Sequence, residues 1–259
     1  MSTRIVFAGN RDIAVKLLKF INTQGVKPLA IIVPEDKVST LSEKMIKLCP
    51  HLDDDCILKG EEFKTESSKK ILKKLDVDYI ISVHFPYIYP TEILNIPKHG
   101  VVNLHPAFLP YNRGWHTSTW AIYDEVPFGA TLHFMDRNID TGDTILQKKL
   151  DILPDDTADK LYQRVLDLEV EIFKEAWPSL VNYSYTRKPQ QKDIGTYHKK
   201  QDMKKIQQIN LEENVKAEDL IKQLRALTTN DIKEAAYFKK GGERYRLKIS
   251  IQKEENGER

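Results

Sequence analysis

Short apolar runs separated by helix-patterned stretches organise the first half of the chain. Ile5 to Ala8 has the pattern of a buried strand, and Gly9-Asn10-Arg11-Asp12 reads as a strand-to-helix turn with Asp12 as the helix cap. Ala14, Leu17, Leu18 and Ile21 recur at helical spacing, Gly25 suits the helix stop, and Leu29 to Val33 supplies a second strand. This opening βαβ unit predicts a parallel sheet with a right-handed crossover. Helices are expected at Leu41 to Leu48 and Ser67 to Leu75, a buried strand at Tyr79 to Val83, and a short helix from Pro90 to Leu94. Val101 to His105 is the central strand, and Pro106 ends its ladder by removing a backbone donor. A helix over Trp115 to Tyr123 and strands over Ala130 to Met135 and Thr144 to Gln147 follow. Thr157 then caps a long amphipathic helix whose stripe is Leu161, Val165, Leu168, Ile172, Phe173 and Ala176.

Past Leu180 the pattern changes. Tyr183 to Thr196 is polar and reads as a crossing segment, followed by Gly195-Thr196-Tyr197-His198 and a basic run of Lys199, Lys200, Lys204 and Lys205. Ala217 to Leu227 is a helix with Leu220, Ile221, Leu224 and Leu227 on one face. Gly241-Gly242 lies between two strand patterns and predicts a two-residue hairpin, with Tyr245, Leu247, Ile249 and Ile251 alternating onto one buried face. Lys253 to Arg259 is expected to fray. The fold class is therefore α/β, a Rossmann-like domain with a mainly parallel sheet over residues 1–182. A small C-terminal α+β subdomain containing the hairpin is expected over residues 183–259.

Composition narrows the function classes. The chain has 259 residues, 41% of them hydrophobic, enough to bury a sizeable core. Its 40 basic and 38 acidic residues nearly cancel, so no broad basic field points to a nucleic-acid partner. Cys49 and Cys56 are too few for a disulfide framework, and no apolar run approaches the length of a membrane span. The N-terminus enters a strand without a signal-peptide pattern, so a cytoplasmic location is expected. Asp53-Asp54-Asp55 reads as a solvated loop, and His116 and His133 lack a third ligand at metal spacing, so no metal is expected. Gly9 alone does not make the dinucleotide fingerprint, which disfavours NAD or FAD.

The candidate chemistry sits between Val101 and Asp143. A strand places Asn103 and His105 on one face, at the kind of strand end where ligand crevices of open α/β sheets lie. A second strand leads to a turn holding Asp140. An amide can donate to a carbonyl oxygen gaining charge, an imidazole can move protons near neutral pH, and a carboxylate can orient the imidazole. On spacing alone, a histidine after a strand is more often an ordinary loop residue, and the Asp140 segment could be a plain turn.

The run Asn103-Leu104-His105-Pro106 through Leu109-Pro110 to Arg113-Gly114, followed by Ile139-Asp140-Thr141-Gly142-Asp143, resembles the signature of the 10-formyltetrahydrofolate-dependent formyltransferases. The resemblance implies that Asn103, His105 and Asp140 are the catalytic triad. It implies that Pro86, Tyr87 and Ile88, in a loop after the Tyr79 to Val83 strand, bind the folate pteridine, with Asp136 and Asp140 also on the cofactor side. It implies that Asn10 and Arg11 contact substrate, where the turn alone leaves a mere structural role equally open. His84 is open between substrate contact and loop packing, and Tyr197, Tyr237 and Phe238 are open between stacking on a base and core packing. The tail is similar to the nucleotide-sugar N-formyltransferase branch, closest to the enzymes acting on dTDP-4-amino-4,6-dideoxyglucose for bacterial surface glycans such as O-antigen. Homodimerisation is a further implication. The alternatives are methionyl-tRNA or glycinamide ribonucleotide as acceptor, a nucleotide-dependent oxidoreductase on a similar scaffold, and a non-catalytic folate or sugar-nucleotide binding module.

Overall fold

The computed structural model describes residues 3–35, 41–191 and 193–254; the end of the tail beyond residue 254, where fraying was expected, lies outside the described residues. In chain order, β1 (Ile5–Gly9) leads through α1 (Arg11–Thr23) to β2 (Ala30–Val33). Then come α2 (Ser42–Lys47), β3 (Ile57–Lys59), α3 (Glu66–Lys74), β4 (Tyr79–Val83), α4 (Thr91–Leu94) and β5 (Gly100–His105). A short β6 (Arg113–Gly114), α5 (Thr117–Tyr123), β7 (Gly129–Phe134), β8 (Thr144–Lys149) and the long α6 (Ala158–Val181) follow. The tail holds β9 (Tyr197–His198), α7 (Ala217–Ala226), β10 (Ala236–Lys240) and β11 (Glu243–Leu247).

Seven strands form the central sheet, in the order β3-β2-β1-β4-β5-β7-β8. The first five pair in parallel and β7 runs antiparallel to β5, giving the mainly parallel Rossmann-like sheet read from the sequence. β1, β2, β4 and β7 are buried at every position, which is why they read as continuous apolar runs and not as alternations. One sheet face packs Val6, Ala8, Ile32, Ile80 and Val101 against Phe63, Leu72 and Ile93. On α1, Phe20 meets Phe173 and Trp177 of α6 edge-on at 6.3 Å. β3 escaped the sequence reading because three residues, only one of them buried, carry no period.

Several local expectations change. The α1 cap is Asn10 and not Asp12: the Asn10 side chain accepts from the Arg11 amide at 2.8 Å, one position before the helix. The α6 stripe is Leu161, Val165, Glu169, Ile172, Phe173 and Ala176; Leu168 is only half-buried, while Glu169 is fully covered. β11 ends at Leu247, so Ile249 and Ile251 lie beyond the strand, and Tyr245 is 49% exposed where a buried face was expected. Ile221 of α7 is likewise exposed. The turn at Gly241-Gly242 holds: both glycines have positive φ, and Lys240 pairs with Glu243 across it.

Two compact units interleave along the chain. The first gathers residues 1–105, 131–147 and 169–190, and the second 106–130, 148–168 and 191–259. A cut after residue 182 falls inside the last segment of the first unit. Within the second unit, Trp120 packs with Met203, Ile206, Leu227 and Ala236 into a small core of its own.

Candidate active site

In the first unit the strand order reverses between β1 and β4, because β2 and β3 lie to one side of β1 while β4 and β5 lie to the other. A topological switch point of this kind opens a crevice at the carboxyl ends of the strands. The registers say what borders it. Gly9 pairs with Val83 and Val83 with Leu104, so Asn10, His84 and His105 stand one step further along three adjacent strands. Neighbouring strands lie about 5 Å apart, which sets these residues in a row.

On the next strand, the β5–β7 register pairs Asn103 with His133. The His133 Nδ1 lies 2.8 Å from the Phe134 carbonyl, which can only accept, so Nδ1 carries the hydrogen and Nε2 is the acceptor. Asn103 Nδ2 donates to that Nε2 at 3.2 Å, which fixes which end of the Asn103 amide is NH2. Burial holds the His133 imidazole below its usual range, with the Asp140 carboxylate pulling the other way. His133 is thus a neutral ring that orients Asn103.

The Asp140 carboxylate lies beside both imidazoles. Its Oδ2 lies 3.6 Å from His105 Nε2 and its Oδ1 lies 3.6 Å from His133 Nε2. The two rings sit 6.2 Å apart, nearly perpendicular. Asn103, His133, Asp140 and His105 therefore form one compact cluster, with His105 and Asp140 buried and Asn103 half-buried.

The turn bearing Asp140 is built to place it. Asp136 accepts from the Asn138 amide at 2.9 Å and from the Thr141 hydroxyl at 2.6 Å, so its carboxylate ties the turn together. Gln190 donates to the carbonyls of Asp140 and Gly142 at 2.9 and 2.7 Å. At Gly142 the backbone returns against β7 so closely that a Cβ would sit 1.9 Å from the Phe134 carbonyl oxygen. Asp140 itself takes a positive φ of 54°, a conformation that Asp tolerates better than most residues.

Of the cofactor-side candidates, Pro86, Tyr87 and Ile88 form the loop after β4. Tyr87 packs on Phe85 at 5.3 Å and Ile88 is 73% exposed at the tip. Among the substrate candidates, Asn10 is buried with its carbonyl oxygen engaged by the Arg11 amide, and Arg11 is exposed with φ 67°. The His84 imidazole is buried and bonded to Glu169. Tyr197, Tyr237 and Phe238 belong to the second unit. There Tyr197 is 46% exposed in β9, Tyr237 bonds Gln208 beneath the Arg244 guanidinium, and Phe238 stacks on Tyr245 at 5.3 Å. The second unit also holds a cavity of about 530 Å³ lined by Lys199, Lys200, Lys204, Lys233, His116 and Glu234.

The sequence reading missed His133, Glu169 and Gln190. His133 emerges from a cross-strand register thirty residues away from Asn103. Glu169 had a legible signal: it falls four residues after Val165 and three before Ile172, on an otherwise apolar helical stripe. Among the described residues no group of three or more His, Cys, Asp or Glu side chains is placed to hold a metal, and no helix is long and apolar enough to cross a membrane.

Comparison with known proteins gives consistent matches. Residues 4–177 match the family described as Formyl transferase, and residues 202–253 match the N-formyltransferase dimerization C-terminal domain. The chain is 29% identical over 199 residues to the methionyl-tRNA formyltransferase of Geobacter sulfurreducens, covering 75% of this chain and 63% of that protein. It thus spans just under two thirds of that relative's length. It is 30% identical over 183 residues to the dTDP-4-amino-4,6-dideoxyglucose formyltransferase of Mycobacterium bovis, covering 70% of this chain and 76% of that protein. A solved 4-N formyltransferase from Francisella tularensis superposes with a TM-score of 0.80 and 26% identity, over 97% of this chain and 98% of that one.

Proposed function

Because the chain belongs to the formyl transferase family, we propose that it is an enzyme moving the formyl group of 10-formyltetrahydrofolate onto the amine of a nucleotide-linked amino sugar, with dTDP-4-amino-4,6-dideoxyglucose as the acceptor. The observation that carries this reading is the cluster of Asn103, His133, Asp140 and His105 on β5, β7 and the turn after β7. The acceptor class is supported by the Mycobacterium bovis relative, three quarters of whose length is covered, and by the end-to-end match to the Francisella tularensis structure.

In this mechanism the amine lone pair attacks the formyl carbon and the carbonyl oxygen gains negative charge. One Asn103 amide hydrogen is given to His133, and the other is assigned to that oxygen. The imidazole of His105 takes the amine proton, and the Asp140 carboxylate 3.6 Å away offsets the positive charge formed on the ring. The bond from the formyl carbon to the folate nitrogen then breaks, and that nitrogen takes up the proton released by His105, leaving tetrahydrofolate, a formamide and a neutral imidazole. Pro86, Tyr87, Ile88, Asp136 and Asp140 are assigned to the folate side. Asn10, Arg11, Tyr197, Tyr237 and Phe238 are assigned to the nucleotide-sugar. Residues 183–259 are assigned as a C-terminal subdomain through which two copies pair in the cytoplasm.

A panel of dTDP- and UDP-amino sugars, methionyl-tRNA and glycinamide ribonucleotide, each with 10-formyltetrahydrofolate and read by mass spectrometry, tests the reading. Formylation of dTDP-4-amino-4,6-dideoxyglucose ahead of the other acceptors supports it. Formylation of methionyl-tRNA alone, or of none, contradicts it.

A further inference from the structure

Glu169 is fully buried on the apolar stripe of α6. A carboxylate in such a place persists only where hydrogen bonds compensate the lost water. Its partner is His84, whose Nε2 lies 2.8 Å from one carboxylate oxygen and 3.0 Å from the other. An ionised carboxylate only accepts, so Nε2 carries the hydrogen. His84 itself sits at the switch point, one residue past β4, with a positive φ of 50° that turns the chain sharply into the following loop. The far side of that loop is also anchored. Phe85 lies 5.5 Å from both Phe63 and Tyr89, and Tyr89 lies 5.4 Å from Phe63. Between these two anchors the tip, Ile88, is exposed.

We propose that Glu169 and His84 act as a positioning pair, clamping the base of the loop whose tip presents Pro86, Tyr87 and Ile88 to the folate. The proposal rests on the folate reading given above. The clamp fixes the loop before the folate arrives, so its contribution goes into folate binding by pre-organisation. The groups assigned to the chemistry, Asn103, His105 and Asp140, stand on β5 and on the turn after β7 and not on this loop.

The test is a split of kinetic constants. Glu169→Ala is expected to raise KM for 10-formyltetrahydrofolate ~10-fold or more, while kcat at saturating folate stays within ~3-fold and KM for the amino sugar is unchanged. Glu169→Gln keeps an oxygen that accepts from Nε2 and is expected to restore near wild-type KM. Should Glu169→Ala fail to fold, the double variant His84→Phe with Glu169→Leu removes both polar groups together, leaves no unpaired buried charge, and is expected to show the same rise in folate KM. Unchanged folate KM in the single or the double variant, or a fall in kcat with KM unchanged, overturns the proposal. If the wild-type protein neither transfers formyl groups nor binds tetrahydrofolate, the folate reading fails by itself. Amide hydrogen exchange over Phe85–Tyr89 then judges the clamp: faster exchange in the double variant upholds it, and unchanged exchange overturns it.

Discussion

The turn that carries Asp140 and the hairpin that carries Tyr245 are both short, polar-flanked connections, yet they are held in opposite ways. In the turn, Asp136, Gln190 and the close approach at Gly142 fix the backbone, and Asp140 is buried against two imidazoles. In the hairpin the two glycines have open space around them; Phe238 stacks on Tyr245 and Tyr237 lies under Arg244, and all three rings stay partly exposed. The contrast teaches where geometry is determined by the chain itself. The turn is over-determined, as a site that must hold charge in place requires. The hairpin shows an unfinished apolar surface, which suits a region that gains its cover from a partner or a ligand.

The comparison can be broken by substitution, and the largest expected effect is at the buried pair. His84→Ala leaves Glu169 as an uncompensated buried charge and is expected to cost roughly 3–5 kcal/mol in denaturant unfolding. A loss under about 1 kcal/mol would show that the pair is not held dry. Next comes Gly142→Ala, whose new methyl group would collide with the Phe134 carbonyl. It is expected to destabilise by ~1–3 kcal/mol and to lower formyl transfer by displacing Asp140.

A third effect depends on pH. His133 titrates below its usual range because it is buried, so below about pH 6.5 the unfolded chain takes up a proton that the folded chain resists. Stability is therefore full above that pH and declines as pH falls towards the folded value. Protonation would also turn Nε2 from acceptor to donor and break its bond from Asn103. Unfolding free energy followed from pH 8 to 5 is expected to fall less steeply in His133→Gln than in the wild type. Equal slopes would remove His133 as the source. The smallest effect belongs to the hairpin: Tyr245→Ser is expected to change the thermal midpoint at low protein concentration by no more than about 0.5 kcal/mol equivalent. A larger loss there would mean that the hairpin is as tightly determined as the turn.

Much of this was legible in the chain. β1, β2 and β4 announced themselves because strands buried on both faces leave unbroken apolar runs, and Asn103, His105 and Asp140 stood in a recognisable order. What escaped is non-local. His133 matters through its register with Asn103, which has no sequence period of its own; the place of Glu169 on the helical stripe shows in the sequence, but its pairing with His84 does not. In the tail the alternation of Tyr245 and Leu247 identified a shared face and the glycines identified the turn. A pattern says which residues face together, not what covers them, so the exposure of Tyr245 and Ile221 could not be read from it.

The central claim is that the Asn103 amide, aimed by His133, stabilises the oxygen of the formyl group in transfer. Its most direct test is single-turnover formyl transfer by Asn103→Ala, measured beside tetrahydrofolate binding and thermal stability of the same protein. Binding and stability are expected to stay near wild type while the transfer rate falls on the order of a hundredfold to a thousandfold. A variant that transfers the formyl group at the wild-type rate would contradict it.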